Sequence, residues 1–400
     1  MNTFARVATT KENSPRWQAC ITRRKSIYQR ENEIRSEFGR DYTRLLHSKA
    51  YRRLKHKTQV FFAANNDHVC TRIEHVNHVS SVSYTIAQYL ELNTELVLAI
   101  AIGHDIGHAP FGHDGEYILR NIAQKYYGGT FFHEQNGLFF ADNIELLQNE
   151  QGSEETLNLT YAVRDGIVSH CGEMDDASLF PREEYLDLSA ITEPSIYNPF
   201  TWEACIVKVA DKISYLGRDL EDAIRLKIIR QEEQDELKAI LSPYWGEKHN
   251  SASNTSLIHS FATDLCLNSS PEKGIMFSER CFQTILGIKE FNYKYIYKHP
   301  RLNYYKQYAA LIINSIFDTL NELYNPSKLT ENIENKKQIF PKLIKSFEKW
   351  LMAYSDYQKK GDVIYPIFSD RTNYQKCIVD FISSMSDSFA IEMFNELTTF

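Results

Sequence analysis

Three histidines and one aspartate lie within a single short segment, Gly103–His113, at the end of an apolar run. The run Leu96–Ile102 leads directly into the pair His104–Asp105, and His108 and His113 follow. A buried imidazole and carboxylate are costly unless a partner satisfies both, and a divalent cation would do so. Three histidines within ten positions are hard to explain by packing alone. The segment therefore predicts a metal site.

A candidate ligand set combines this pair with two distant residues. His75 is predicted to begin one helix, His104 and Asp105 to end the next, and Asp211 to lie inside a third. Helices packed as a bundle could bring the four side chains to one point. Two imidazoles and two carboxylates suit one divalent ion, with manganese, iron, cobalt, nickel, zinc and magnesium as candidates. No cysteine belongs to the set, which argues against a structural zinc site.

Hydrophobic spacing predicts the helices that position these residues. Apolar residues recur every three or four positions over 76–90, so a helix should begin near His75. Thr94 is the predicted N-cap of a second helix, from Glu95 to about His104, which is apolar nearly all round and should be buried. The residues 109–112 are typical of a turn.

A third helix is predicted over Trp202–Ile224, with an apolar stripe on one face. A second face has Asp211, Tyr215, Asp219 and Asp222, at steps of four, four and three residues. This acidic and aromatic stripe indicates either a solvated surface or one wall of a ligand site. Polar or proline-containing composition predicts loops over 179–200 and 248–256. An aromatic cluster over 291–305 could stack bases or pack an interface, and packing is the commoner outcome.

Composition limits the class of protein. A chain of 400 residues with 43% hydrophobic and 24% charged residues is typical of a soluble globular protein of one to three domains. The net charge of -7 argues against a wholly basic nucleic-acid binder. The basic residues concentrated over 23–57 could hold polyphosphate or cover a solvated helix.

Cysteine usage and the lack of apolar targeting segments predict a cellular compartment. Seven scattered cysteines without a C-x-x-C pair suggest reduced thiols. Neither a signal peptide nor a membrane-spanning segment is predicted, so we expect a cytoplasmic protein without membrane contact. No P-loop motif occurs, so side chains and metal would have to bind any phosphate.

The ordered set of His75, His104–Asp105 and Asp211 resembles the H…HD…D signature of the HD-domain phosphohydrolase superfamily. Other segments are similar, in order and spacing, to those of the dGTPase-like deoxynucleoside triphosphate triphosphohydrolases: Arg35–Phe38 with Asp41, His47–Phe61, Thr71–His75, His104–Glu116, Phe132–Glu134, Val209–Tyr215 with Asp219 and Asp222, and Asp380–Asp387. The resemblance covers roughly residues 30 to 397. A lone His-Asp pair is weak evidence, whereas this ordered set is specific.

The resemblance implies an all-α fold and a reaction. The fold would comprise an N-terminal segment over 1–29, an HD-domain helical core over 30–230 and a C-terminal helical extension over 231–400 packed on the core. The family reaction cleaves a deoxynucleoside triphosphate at the α-phosphorus, giving the deoxynucleoside and inorganic tripolyphosphate, and dGTP is a candidate preferred substrate. Family members form homo-oligomers, often tetramers or hexamers, and some are regulated by an allosteric nucleotide or by single-stranded DNA.

The resemblance also implies roles for residues that would move protons. His113 matches the general acid for the leaving 5′-oxygen, a task that suits imidazole near neutral pH. Glu116 matches the carboxylate that orients or assists this histidine. His133 and Glu134 match the supporting pair of the same network. Structural alternatives remain for each, as turn, loop or helix-terminus residues.

Substrate-binding roles carry over in the same way. Arg72 and Lys212 match residues that hold the triphosphate, and His108 matches one that touches the α-phosphate. The deoxyribose contacts would be Gln59, Tyr215 and Asp219, with the tyrosine ring excluding a 2′-hydroxyl. A solvated or salt-bridged helix face is the alternative. Arg53 would contact phosphate or form a salt bridge between subunits. We expect His56, His68, His78 and His170 to be structural.

Two other functions are compatible with the predicted metal site. An HD-type nucleotidase or cyclic-nucleotide phosphodiesterase could use the same ligands, although His113, Glu116 and the His133–Glu134 pair favour the triphosphohydrolase. A non-catalytic nucleotide sensor is the third candidate. The presence of all four predicted ligands argues against it, because degenerate members of enzyme families often lose one.

Overall fold

The computed structural model describes residues 3–27, 32–62, 66, 68–149, 152–172, 178–245, 253–358 and 363–399. Over these residues the protein is predominantly helical, which confirms the predicted all-α class. The α-helices in the described ranges are α1 Trp17–Ile21, α2 Glu37–His47, α3 Lys49–Arg53, α4 Arg72–Leu90, α5 Thr94–Gly103, α6 Gly112–Tyr127, α7 His133–Phe139, α8 Tyr161–Ser169, α9 Trp202–Arg225, α10 Gln231–Trp245, α11 Asn254–Asn268, α12 Glu279–Asn292, α13 Pro300–Asn321, α14 Leu329–Ile339, α15 Pro341–Tyr354, α16 Arg371–Ser383 and α17 Asp387–Thr398.

Short elements connect the helices. Two small antiparallel sheets pair β1 Leu146–Gln148 with β2 Glu154–Thr156, and β3 Ser178–Leu179 with β4 Ile275–Met276. Single turns of 3-10 helix span Thr3–Arg6, Leu54–His56, Leu188–Ala190 and Pro194–Ile196. Stretches of π-helix extend α7 over Phe140–Ile144 and α12 over Tyr293–Tyr297. None of the described helices combines the length and the apolar character needed to cross a membrane.

Helix α5 lies at the centre of the site-bearing part, in contact with α2, α4, α8 and α9. Its residues Ala99–Gly103 are all buried, as its nearly continuous apolar sequence predicts. The predicted N-cap, Thr94, is wrong by one position. The side chain of Asn93 instead accepts hydrogen bonds from the backbone amides of Glu95 and Leu96, both at 3.1 Å. The asparagine oxygen thus satisfies amides that begin the helix, and Thr94 becomes its first residue.

Helix α4 begins three residues earlier than the apolar pattern indicates. The backbone amide of Thr71 donates to the Glu74 carboxylate at 2.8 Å, one half of a capping box that fixes the start at Arg72. His75 consequently lies in the first turn of α4. The predicted third helix, Trp202–Ile224, is confirmed by α9, which ends one residue later, at Arg225. Residues 248–252 of the predicted 248–256 loop lie outside the described residues, and α11 already begins at Asn254.

Some of the basic residues over 23–57 serve internal contacts, whereas others, such as Lys49, Arg52 and Lys55, are exposed. Arg23 pairs with Asp41 at 2.5 Å, and Arg44 donates to the backbone carbonyl of Leu157 at 2.6 Å. Lys57 is buried and donates to the carbonyl of Ser383 at 3.1 Å. Arg23, Arg44 and Lys57 therefore match neither of the two predicted alternatives, a polyphosphate face or a solvated helix.

The C-terminal helices contact the predicted core directly. Helices α13 and α16 pack against α6, and α17 packs against α13. The carboxylate of Asp387, at the start of α17, accepts hydrogen bonds from the backbone amides of Thr58 and Phe111, each at 2.8 Å. Helix α10 begins at Gln231, where the extension was predicted to start, and the division at 230 stays a prediction.

Candidate active site

The first turn of α4, the end of α5 and the middle of α9 bring three predicted ligands together. The Nε2 atom of His75 lies 2.8 Å from Oδ1 of Asp211, and Nε2 of His104 lies 3.8 Å from the same oxygen. All three ligand atoms are within 4.8 Å of one another. We call His75, His104 and Asp211 the cation cluster. Three helices distant in sequence thus present two imidazoles and a carboxylate to a single point.

The tautomer of His104 makes its Nε2 atom available as a ligand. Its Nδ1 atom lies 2.7 Å from the carbonyl oxygen of Ala101, which can only accept, so Nδ1 bears the proton. The Nε2 atom is buried and has no hydrogen-bond partner among the described residues. A buried nitrogen lone pair without a partner is costly. The residues of the cation cluster therefore fit a divalent metal ion.

Asp105, the fourth predicted ligand, lies between the cation cluster on one side and His108 and Arg72 on the other. Its Oδ1 atom is 3.5 Å from Nε2 of His104 and 3.1 Å from Nε2 of His108, and its Oδ2 accepts from Arg72 at 2.9 Å. Burial alone would raise the pKa of Asp105, but His108, His104 and Arg72 hold that pKa well below its usual range. The carboxylate is therefore ionised and could share a cation with His104.

A second group of side chains lies on the other side of His108. Nδ1 of His133 lies 2.9 Å from Oε2 of Glu116 and 3.4 Å from Oε2 of Glu134. Nδ1 of His113 lies 3.7 Å from the same Glu116 oxygen, and its side chain is 71% exposed. We call His113, Glu116, His133 and Glu134 the acid–base cluster. It joins one exposed imidazole to a buried imidazole–carboxylate pair.

His108 and His133, the two buried imidazoles where the cation cluster meets the acid–base cluster, favour opposite charge states. The rings of His108 and His133 stack with centroids 3.7 Å apart. Burial, followed by the charge of Arg72, lowers the pKa of His108 well below its ordinary value. Burial would also lower the pKa of His133, but the nearby carboxylates of Glu134 and Glu116 raise it well above. The site therefore holds a neutral histidine against a positively charged one.

Close backbone packing fixes the loop His104–Phe111, which we call the HD loop. A Cβ atom on Gly107 would lie 2.0 Å from the carbonyl oxygen of His133 and 2.1 Å from the amide nitrogen of Gly137. Only glycine allows this approach. The contact sets α7 against the HD loop and thereby places His133 beside His108.

Arg72 and Gln59, two predicted substrate contacts, lie next to the start of α6. Arg72 is buried, and its Nε and Nη2 atoms have no hydrogen-bond partner among the described residues, nor does Oε1 of Gln59. Gly112 has φ +61°, and a Cβ there would lie 3.3 Å from Nη2 of Arg72 and 3.2 Å from the Gln59 carbonyl oxygen. The site thus contains a buried guanidinium with unused hydrogen-bond donors, and it lies against Gly112, the residue before His113.

The acidic stripe of α9 is not a solvated face. Asp219 and Asp222 are each 3% exposed, while Lys212 and Tyr215 are half-buried. Asp219 accepts a hydrogen bond from the hydroxyl of Tyr297 at 2.6 Å, and burial raises its pKa to about 7. The stripe therefore extends the wall that begins at Asp211.

Arg53 is engaged within its own chain. Its Nη2 atom lies 2.8 Å from Oε1 of Glu145, which is buried. The predicted phosphate contact or subunit salt bridge stays a prediction.

Sequence interpretation missed three residues at the site. His170, expected to be structural, has Nε2 3.4 Å from Nε2 of His133, and Sγ of Cys171 is also 3.4 Å from that atom. Tyr297, which holds Asp219, belongs to the aromatic cluster for which packing was favoured. His170 and Cys171 follow an apolar segment, just as His104 and Asp105 follow the apolar run Leu96–Ile102. This similarity could have indicated the pair from the sequence.

Comparison with known proteins identifies the family of this chain. The HD domain family model matches residues 72–216, a range that includes every predicted metal ligand. A deoxyguanosinetriphosphate triphosphohydrolase-like protein of Desulfatibacillum aliphaticivorans is 34% identical over 288 residues, covering 71% of this chain and 73% of the relative. A protein of the same description from Rickettsia bellii is 31% identical over 394 residues, covering 91% and 92%. One from Caldanaerobacter subterraneus subsp. tengcongensis is 28% identical over 366 residues, covering 91% and 86%.

Proposed function

The chain belongs to the HD-domain family of deoxyguanosinetriphosphate triphosphohydrolase-like proteins, and we propose that it hydrolyses deoxynucleoside triphosphates with the aid of a divalent metal. Cleavage would occur at the α-phosphorus and release the deoxynucleoside and inorganic tripolyphosphate. One observation supports this most directly. His108 lies 3.1 Å from Asp105 and stacks on His133, so that it joins the metal ligands to the acid–base cluster.

The reaction first requires that the negative charge of the triphosphate be neutralised. A divalent ion held by His75, His104, Asp105 and Asp211 would supply Lewis acidity and lower the pKa of a bound water. Arg72 has buried donors beyond its bond to Asp105, and these suit phosphate oxygens. His108 would touch the α-phosphate, as the family resemblance implies, and Lys212 would add a point charge.

Proton delivery to the leaving 5′-oxygen is the second requirement. His113 is exposed to the solvent-accessible side of the site and would serve as the general acid. Glu116 lies between His113 and His133, and it is ionised because these two imidazoles hold its pKa well below the usual value despite burial. Glu116 would orient His113, while His133 and Glu134 support this carboxylate from behind.

Recognition of deoxyribose is assigned to Gln59, Tyr215 and Asp219. Asp219 accepts from Tyr297 and retains a second oxygen for the 3′-hydroxyl. The Tyr215 ring, one turn before Asp219 on α9, would occupy the space of a 2′-hydroxyl. A buried polar site of this kind rejects sugars that lack the matching hydroxyl more strongly than an apolar one would.

Product analysis tests the proposal. Purified protein would be incubated with dGTP and Mn²⁺, and the products separated by anion exchange. Deoxyguanosine with tripolyphosphate is the expected result. Release of dGDP with orthophosphate would contradict cleavage at the α-phosphorus, and turnover of monophosphates without triphosphates would favour a nucleotidase. Binding of dNTP without turnover at any divalent metal would identify a sensor.

The further predictions concern partners and assembly. Preference for dGTP, the choice of manganese among divalent ions, a tetrameric or hexameric homo-oligomer and a cytoplasmic location all remain predictions. Regulation by an allosteric nucleotide or single-stranded DNA does as well. Arg53, with its buried Nε atom, would serve either the triphosphate or a neighbouring subunit.

A further inference from the structure

Three potential ligands meet beside the acid–base cluster, outside the predicted set of metal ligands. The Nε2 atom of His133 lies 3.4 Å from Nε2 of His170 and 3.4 Å from Sγ of Cys171. All three ligand atoms lie within 4.8 Å of one another. Both histidines are buried, and Cys171 is partly exposed. We call these three residues the His-His-Cys triad.

Hydrogen bonding determines which nitrogen atoms face the centre of the triad. Nδ1 of His170 lies 2.7 Å from the Ile167 carbonyl oxygen, which can only accept, so Nδ1 bears a proton. Nδ1 of His133 faces oxygens of Glu116 and Glu134, so it also bears a proton. The two Nε2 atoms face each other across 3.4 Å, so either the additional proton of a charged His133 or a metal cation must lie between them.

The distances match the edges of a metal coordination tetrahedron. Zinc bonds of about 2.0 Å to imidazole and about 2.3 Å to thiolate give ligand separations of roughly 3.3 to 3.7 Å. Both separations measured from His133 are 3.4 Å. A proton alone would be held weakly across this spacing, since hydrogen bonds from N–H groups usually span about 2.7–3.2 Å. The observed spacing is therefore better suited to a cation than to a proton.

The backbone that presents Cys171 is held in place. Lys208 donates to the carbonyl oxygen of Cys171 at 2.6 Å. The next residue, Gly172, has φ +110°, and a Cβ there would lie 2.5 Å from the carbonyl oxygen of Ser195. The end of α8 fixes His170 through its bond to Ile167. His170 and Cys171 of the triad are thus held by the C-terminal end of the buried helix α8 and by a turn that requires glycine.

We propose that His133, His170 and Cys171 form a second metal site, selective for thiophilic divalent ions such as Zn²⁺. Two imidazoles and a thiolate are a donor set that favours zinc over magnesium or manganese, and three protein ligands leave one coordination position for water. A metal at this site occupies Nε2 of His133, so this nitrogen can no longer take up a proton while Nδ1 faces Glu116 in the acid–base cluster. Zinc therefore inhibits the enzyme, a consequence that rests on the proposed function, whereas the site itself does not.

Cobalt absorption tests the site without any assay of activity. Co²⁺ added to the full-length protein should give a thiolate-to-cobalt charge-transfer band in the near ultraviolet, because only a cysteine ligand produces one. The band should be lost in Cys171→Ser and persist in Cys266→Ser, which changes another partly exposed thiol. It should also persist in Asp211→Asn, which changes a residue of the cation cluster and none of the three triad ligands. Absence of the band from the unaltered protein, or its persistence in Cys171→Ser, overturns the proposal.

A second variant covers the case in which Cys171→Ser fails to fold. His170→Gln retains a polar side chain and should weaken cobalt binding at least about tenfold, the loss already caused by replacing a residue that only hydrogen-bonds to a ligand. Circular dichroism would verify that both variants are folded. Equal cobalt affinity in His170→Gln and the unaltered protein would refute the triad.

Inhibition tests the consequence for catalysis separately. With dGTP and saturating Mn²⁺, the zinc concentration that halves the rate should rise at least about tenfold in Cys171→Ser, each variant being compared with its own zinc-free rate. Cys266→Ser should keep the original zinc sensitivity. Equal sensitivity in Cys171→Ser would refute inhibition at this site. Should the protein fail to hydrolyse dGTP, the cobalt band still decides whether the site exists.

Discussion

The functional side chains of this protein are defined by their neighbours as much as by their type. His108 and His133 are both buried and stack on each other, yet the pKa of one is lowered and that of the other is raised. The difference arises because Arg72 lies near the first and two glutamates lie near the second. Environments that push neighbouring pKa values apart assign donor and acceptor roles within one site.

His113 provides the most direct test at the residue scale. We expect His113→Ala to lower kcat by roughly 10²–10⁴-fold, because the leaving oxygen loses its general acid. Metal content and nucleotide affinity should stay unchanged, since the side chain is 71% exposed and outside the cation cluster. Steady-state kinetics and equilibrium binding measure the two effects. His259→Ala, at an exposed position of α11, is the control. A parallel loss of nucleotide binding would indicate a structural role for His113.

Asp211 tests the metal site itself. Burial would raise the pKa of Asp211, but the hydrogen bond from His75 and the nearby imidazoles lower it to about 2, so it is a carboxylate at neutral pH. Asp211→Asn keeps the shape and removes the charge. We expect the metal bound per chain and the turnover rate to fall together, as measured by elemental analysis and by the dGTP assay. Glu221→Gln on the same helix should change neither. Full metal content in Asp211→Asn would contradict the ligand assignment.

At the scale of elements, the C-terminal extension holds the HD loop in place. Phe111 has φ 66° in the left-handed region, a conformation that is costly for a bulky residue. Its amide donates to Asp387, and the same carboxylate accepts from the amide and hydroxyl of Thr58. Lys57 also donates to the carbonyl oxygens of His108 and Ser383. A helix almost 300 residues away in sequence thus fixes the HD loop.

Asp387→Ala should therefore affect both stability and catalysis. Leaving the buried amide of Phe111 without an acceptor should cost roughly 1–3 kcal/mol of unfolding free energy. Turnover should also fall, because Phe111 immediately precedes the helix that carries His113. Denaturant unfolding and dGTP kinetics measure the two effects. Asp370→Ala removes another aspartate that caps a helix, at the exposed start of α16, and should leave kcat unchanged. Full activity in Asp387→Ala would show that the loop keeps its geometry without this bond.

The sequence predicts the elements that carry chemistry better than the contacts that hold them. The helices bearing His75 and Asp211 follow from three- and four-residue apolar spacing, which is a local property. The approach of Gly107 to His133 and the bond from Phe111 to Asp387 join segments far apart in sequence, so no periodicity reveals them. The N-cap at Asn93 was missed because asparagine and threonine are both acceptable caps. His170 was missed for the same reason as Gly107, since only the packing of α8 on α7 brings it to His133.

Helix α16 contains a buried acid whose titration should be visible in stability. Burial raises the pKa of Asp380 from 3.8 to about 6, although its carboxylate accepts from the Tyr365 hydroxyl at 2.7 Å. Between these two pH values the folded protein binds a proton that the unfolded chain does not, so stability contributed by Asp380 falls as pH rises through this window. Asp380→Asn should remove the effect and raise the unfolding free energy above pH 6 by on the order of 2–3 kcal/mol, with little change near pH 4. Urea unfolding at both pH values measures this. A constant difference between the two proteins across pH would contradict it.

At the scale of the whole molecule, the predicted core and extension should unfold as one cooperative unit. The extension supplies the acceptor for the Phe111 amide and for the buried Lys57, and the amide of Asn136 lies 3.3 Å from the hydroxyl of Ser383. If the extension unfolded first, buried polar groups of the HD loop and α7 would lose their partners, each at a cost of roughly 1–3 kcal/mol. Separate unfolding is therefore unfavourable even though the helices of each part are contiguous in sequence.

Differential scanning calorimetry of the full chain provides the measurement. We expect a single transition whose calorimetric and van't Hoff enthalpies agree, and the whole transition should move to lower temperature in Asp387→Ala. The predicted extension contains Trp245 and Trp350, whereas Trp17 and Trp202 lie outside it, so tryptophan fluorescence allows a second check. Replacing Trp245 and Trp350 together by Phe removes the extension's own fluorescence change, so the midpoint seen by the two remaining tryptophans should equal that seen by circular dichroism. Two resolved transitions, or different midpoints for the two probes, would show that the extension unfolds as an independent domain. The core would then keep the conformation of its HD loop without the extension.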